Sequence, residues 1–165
     1  MAIPARKSSP DDILNPARTF FTTTKTSLGK CLLQSDRNAG LLTEVLSSLA
    51  MERVFTLHDF VIMPDHLHLL FTVDAGMTVE KAMPLVKGRF SFRLGKEFGF
   101  KGAVWQRGFS EVQGLGDAKF QEHRRYIANN PVKAGLVDSP EKFPFCFESL
   151  TKKKAEAQKA RAMHE

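Results

Sequence analysis

Residues 54–73 read VFTLHDFVIMPDHLHLLFTV. Val54 to Met63 is rich in β-branched and aromatic residues and predicts a strand. Pro64-Asp65 predicts a tight turn, since proline presets one backbone dihedral and aspartate bonds its own backbone. His66 to Val73 predicts a second strand that returns along the first as a hairpin. Successive side chains of a strand point to opposite faces. Leu67, Leu69, Phe71 and Val73 therefore share a face suited to a core, and His66 and His68 share the other.

Outward from this hairpin, Thr19 to Thr26 (TFFTTTKT) predicts an earlier strand. Asp36 is placed to cap a helix in which Leu41, Leu42, Val45, Leu46 and Leu49 recur at helical spacing. On the other side, Thr78 caps a long helix over 79–98, with Ala82, Leu85, Val86, Phe90 and Leu94 as its apolar stripe. Gly99 to Gly102 closes it. Ala103 to Trp105 and Ser110 to Gln113 predict a fourth, interrupted strand. Asp117 caps a last helix to about Asn129, which Pro131 is expected to stop. Residues 133–150 read as irregular, with a short basic helix after them. The order β-α-β-β-α-β-α predicts an α+β fold, a ferredoxin-like split βαβ sandwich. Its antiparallel sheet would carry helices on one face, plus an appended C-terminal helix holding Tyr126. The expected organisation is a flexible arm over 1–16, a catalytic domain over 17–150 and a basic tail over 151–165.

With 165 residues the chain suits one domain with a real core. Hydrophobic and charged contents of 42% and 25% argue against long disorder, and no apolar stretch has the length of a membrane span. The first residues lack the apolar run of a signal peptide, so a cytoplasmic location is expected. Cys31 and Cys146 are too few and too far apart for a disulfide framework or a zinc knuckle. The formal net charge of +6 favours a polyanionic partner, though a solvated basic surface is the alternative. Lys152, Lys153, Lys154, Lys159 and Arg161 supply part of the excess. The chain has 14 phenylalanines and a single tyrosine, which singles out Tyr126 for its hydroxyl.

Two imidazoles two residues apart on one strand face can converge on a divalent ion. A pair of surface histidines beside a turn is the other reading of His66 and His68. On the last helix Tyr126 and Asn130 are four residues apart and share a face. Asn130, at the expected helix end, offers a neutral oxygen ligand; His123 and Glu122 are alternative third ligands. A tyrosine hydroxyl, with a reference pKa near ~10, is a poor nucleophile at neutral pH. A neighbouring divalent ion would polarise a phosphate for its attack. Arg124, Arg125 and Lys133 flank the tyrosine and are candidate phosphate contacts, or simply exposed charges.

Three blocks, FVIMPDHLHLLF, VWQRGFSE and HRRYIANNPVKAGLV, together resemble the single-tyrosine HUH transposases, and most closely their REP-associated branch. His66-Leu67-His68 matches the His-hydrophobe-His triplet, and Tyr126 to Lys133 matches the Tyr-Ile-x-x-Asn-Pro-Val-Lys block. The resemblance runs in order from about Thr19 to Phe147. It implies a Mg²⁺ or Mn²⁺ ion held by His66, His68 and Asn130. It implies that Tyr126 attacks single-stranded, hairpin-forming DNA to leave a 5′-phosphotyrosine link and a free 3′-OH. Trp105 to Phe109 sits where the family has a WQ-x-x-F block. Arg107 would then contact phosphate or base, while Trp105 either stacks on a base or fills the core. Lys87 and Ser91 either face DNA or form a solvated stripe. Ser110 departs from the aromatic that many members carry there, which touches DNA preference rather than the catalytic set. No small-molecule cofactor is expected, and either a monomer or a homodimer is compatible. Two other classes remain in view: a hairpin-DNA-binding module that never cuts, and a metal-dependent hydrolase of small phosphoesters.

Overall fold

The computed structural model describes residues 18–113 and 116–164. The expected arm over 1–16 lies outside the described residues. The elements run β1 (Arg18–Lys25), α1 (Asp36–Met51), β2 (Thr56–Met63), β3 (His66–Val73), α2 (Val79–Phe98), β4 (Ser110–Gln113), α3 (Asp117–Lys133) and α4 (Phe147–Met163). The four strands form one sheet in the order β2-β3-β1-β4, and each neighbouring pair is antiparallel. This is the expected split βαβ arrangement, with β3 inserted between β1 and β2. The pairing sets Thr23 opposite His68 and Lys25 opposite His66.

The alternation read in β3 separates two cores. Phe20, Phe60, Leu67, Leu69 and Phe71 face the stripes of α1 and α2, including Leu42, Leu46, Val86 and Phe90. On the opposite face Phe21, Val61, Met63 and Leu70 pack with Ile127 of α3 and with Phe143. So α1 and α2 cover one side of the sheet, and the tyrosine helix covers the other. The two sides are unequal. Seven residues of α1 are buried and six of α2, against only Ile127 and Pro131 of α3. Full burial of an aliphatic side chain such as Ile127 contributes about 1.5–3 kcal/mol. The tyrosine helix is thus the more lightly held layer, the kind of element that opens locally before the rest.

Three local expectations need correction. Ser35, not Asp36, caps α1: its hydroxyl accepts from the Asn38 N–H at 3.1 Å, and Asp36 falls in the first turn. Gly116 is the N-cap of α3 and makes no side-chain cap bond, so Asp117 also lies inside the first turn. Pro131 does not stop α3, which continues to Lys133. Proline lacks one N–H, but the ladder resumes beyond it with Ala134 N–H to the Asn130 carbonyl at 3.0 Å. Asn130 is therefore inside the helix rather than at a frayed end. The fourth strand is interrupted as expected: Trp105 forms an isolated bridge with Thr26, and β4 pairs with residues 20–23 of β1. The helix after the irregular segment begins at Phe147, whose ring meets Phe60 at 6.2 Å, so position 151 falls within it. No helix among the described residues is long and apolar enough to cross a membrane.

Candidate active site

The hairpin turn delivers the first histidine. His66 Nδ1 lies 2.7 Å from Asp65 Oδ1. A carboxylate oxygen accepts, so Nδ1 is the donor of this pair and Nε2 is the ring nitrogen left to meet a ligand. The second histidine is held from β1, where Thr23 Oγ1 lies 2.9 Å from His68 Nδ1. His68 is 4% exposed, and its Nε2 is buried with no hydrogen-bond partner. Burial pushes its pKa down to about 3, and the charges of His66 and Lys25 act in the same direction. His68 is therefore neutral at pH 7, the state a metal ligand requires. The two imidazoles stand 4.7 Å apart between centroids and nearly perpendicular. Each has one ring nitrogen engaged by an orienting partner and the other left over, the arrangement found around metal-bound histidines. A buried, orphaned nitrogen is costly unless something fills it, so the donor set fits a divalent cation.

Across the sheet from α1 and α2, α3 places Tyr126 beside this pair. The Tyr126 ring lies 5.4 Å from His68, edge to face. Phe21 is a shared platform: it stacks on His68 at 5.3 Å and His123 at 4.3 Å, and meets Tyr126 edge-on at 6.0 Å. Tyr126 is 45% exposed and so is accessible from solvent. Thr23, Lys25, His66, His68, Gln106 and Tyr126 line one open cavity.

The remaining candidates are distributed around this centre. Asn130 is half-buried one turn beyond Tyr126 and does not line that cavity. Of the alternative ligands, His123 is stacked on Phe21, and exposed Glu122 pairs with Lys119 at 3.4 Å. Among the described residues no three His, Cys, Asp or Glu side chains gather as a metal cluster. Lys87, Ser91, Trp105 and Arg107 line an adjoining groove that shares Gln106 with the site. The Lys87 ammonium donates to the carbonyls of Gln106 and Gly108, both at 2.8 Å, so it ties down that loop. Trp105 donates its indole N–H to the Lys87 carbonyl at 3.1 Å and packs 5.5 Å from Phe90, which is the core alternative read for it. Arg124 and Arg125 border a separate cavity on the far side of α3, where Arg124 lies 3.6 Å from Asp59. Lys133 is exposed in the last turn of α3.

Sequence reasoning missed four members of the site. Asp65 was read only as a turn residue, although its adjacency to His66 was a usable signal. Thr23, Lys25 and Phe21 became visible only through the register of β1 on β3.

A family model described as "Transposase IS200 like" matches residues 29–130, a span that includes both histidines, Tyr126 and Asn130. The chain belongs to the IS200-like transposase family. Within the IS200-like transposases, a curated relative is the REP-associated tyrosine transposase of Escherichia coli (strain K12), 26% identical over 106 residues. That match covers 64% of this chain and 61% of the relative, so it spans less than two thirds of that protein. Among solved structures, a REP-associated tyrosine transposase bound to a REP hairpin superposes with a TM-score of 0.69 at 24% identity, covering 88% of this chain and 82% of its own. A transposase-like protein of Deinococcus radiodurans R1 superposes with a TM-score of 0.53 at 20% identity, covering 67% and 88%. At these identities the two structures speak for the IS200-like fold.

Proposed function

We propose that this protein is a DNA transposase that cleaves and rejoins single-stranded, hairpin-forming DNA through Tyr126. One observation carries the reading: two histidines, each with its Nδ1 engaged, share a cavity with the only tyrosine of the chain. Family membership supports it, and the hairpin bound by the structural relative supports hairpin DNA as the partner.

Tyr126 Oη attacks the scissile phosphorus. The Oη–P bond forms and the P–O3′ bond breaks, leaving DNA joined through its 5′-phosphate and a free 3′-OH. The phenolic proton leaves to solvent, and the departing 3′ oxygen takes one up. Attack by a second 3′-OH on the phosphotyrosine reverses the step and joins strands. Mg²⁺ or Mn²⁺ held by His66 and His68, with Asn130 as the proposed third ligand, would supply polarisation of the phosphate. Asp65 and Thr23 fix the imidazole orientations, and Phe21 seats the tyrosine ring beside them. Arg107, Arg124, Arg125 and Lys133 are proposed phosphate contacts that hold DNA across the groove and α3.

The test is a labelled hairpin oligonucleotide with a single-stranded flank, incubated with Mg²⁺ or Mn²⁺. A covalent protein–DNA adduct is expected, absent in Tyr126→Phe and abolished by EDTA. Tight hairpin binding with no adduct across a broad oligonucleotide set would replace this reading with a non-cutting DNA-binding module.

A further inference from the structure

The cationic residues expected to meet DNA from the sequence were Lys87, Arg107, Arg124, Arg125 and Lys133. None of them lines the cavity that holds Tyr126, His66 and His68. Lys25 does. It is the last residue of β1 and pairs in register with His66. By strand alternation it shares a face with Phe21 and Thr23, both of which contact His68. Its side chain is exposed and makes no hydrogen bond or ion pair among the described residues. Lys87 is different, because its ammonium is already committed to two carbonyls.

We propose that Lys25 is a further catalytic residue, whose ammonium binds a non-bridging oxygen of the scissile phosphate while Tyr126 attacks it. The inference rests on the strand-transfer reading above. An ammonium has three donors and no lone pair, so it cannot ligate a metal beside the histidines. What it can hold in that cavity is an anion, and it does so as a point charge. Negative charge grows on the phosphoryl oxygens during attack, and a cation already placed there stabilises the transition state more than the ground state. In the free protein water screens Lys25. Bound DNA would cover the cavity and strengthen the interaction by lowering the local dielectric. The same proximity makes Lys25 repel a divalent ion, which separates its role from that of a support for the metal site.

The experiment compares wild type, Lys25→Met and Lys25→Arg with the surface control Lys81→Met. It measures single-turnover adduct formation at saturating hairpin oligonucleotide and Mn²⁺, with Mn²⁺ affinity determined separately. Lys25→Met is expected to slow adduct formation by about 10²-fold, the scale of one lost transition-state donor. Lys25→Arg should recover most of that rate, and Lys81→Met should match wild type. Mn²⁺ binding in Lys25→Met should be unchanged or tighter. A Lys25→Met rate within about threefold of wild type under saturation would overturn the proposal. So would a rate loss that tracks weakened Mn²⁺ binding. A wild-type protein that forms no adduct would instead overturn the strand-transfer reading, and this inference with it.

Discussion

Thr23→Val removes one oxygen from the site and little else. Valine has nearly the shape of threonine and suits a strand, so β1 should keep its pairing. The lost oxygen lies 2.9 Å from His68 Nδ1, in a place where His68 is only 4% exposed. Water therefore cannot easily replace it. Two effects follow. The metal-free protein should lose about 1–3 kcal/mol, because a buried polar nitrogen is left unpaired. The imidazole also loses the bond that fixes its rotation and tautomer. Loss of such a partner behind a metal-ligating histidine costs about 10–100-fold in metal affinity. At a fixed Mn²⁺ concentration well above both dissociation constants, that is about 1.4–2.7 kcal/mol less stabilisation by the ion. Thr23→Ser keeps the hydroxyl and should restore most of the affinity. Calorimetric Mn²⁺ titrations and melts with and without Mn²⁺ read both effects on one set of proteins. If Thr23→Val binds Mn²⁺ as wild type does, His68 is not a metal ligand oriented by Thr23. Equal impairment of Thr23→Ser and Thr23→Val would remove the hydroxyl from the explanation.

Asp59, under the tyrosine helix, has its pKa raised by burial from 3.8 to about 6. The folded protein then keeps a proton that the unfolded chain releases between those values, so ionised Asp59 costs stability above pH 6. Asp59→Asn should therefore raise Tm at pH 8 relative to its effect at pH 4, by the equivalent of about 1–2 kcal/mol; an identical shift at both pH values would contradict this. Ile127→Ala should cost about 2–4 kcal/mol and speed amide exchange in α3 more than in α1 or α2, since α3 buries so little else. Uniform exchange across the three helices would show that α3 is not a separately opening layer. Lys87→Met leaves the Gln106 and Gly108 carbonyls without their cation. Faster exchange over residues 106–113 with an intact core is expected, and unchanged exchange there would refute the loop-anchoring role.

The hairpin over 54–73 was legible because a strand's period of two assigns every side chain to a face from local geometry alone. The same argument separated His66 and His68 from Leu67 and Leu69, and the structure keeps them separate. Helix caps were less legible. Ser35 and Asp36 are both good cap residues, and only the bond to the Asn38 N–H distinguishes them. Pro131 misled for a related reason. Local rules count the missing N–H, but Pro131 is buried and the ladder resumes beyond it, so the helix continues.

The His-hydrophobe-His strand, the lone tyrosine and the element order are properties of the sequence, because each depends on residues near one another in the chain. The orienting partners of the histidines are not. Thr23, Phe21 and Lys25 reach the site through the pairing of β1 with β3, which brings together residues 41 or more positions apart. Tyr126 reaches it because α3 packs on the sheet face that α1 and α2 leave open. Side-chain alternation sorts residues between two faces without saying what covers either one. That choice belongs to tertiary packing, and here it sets Tyr126, His66, His68 and Lys25 around one cavity.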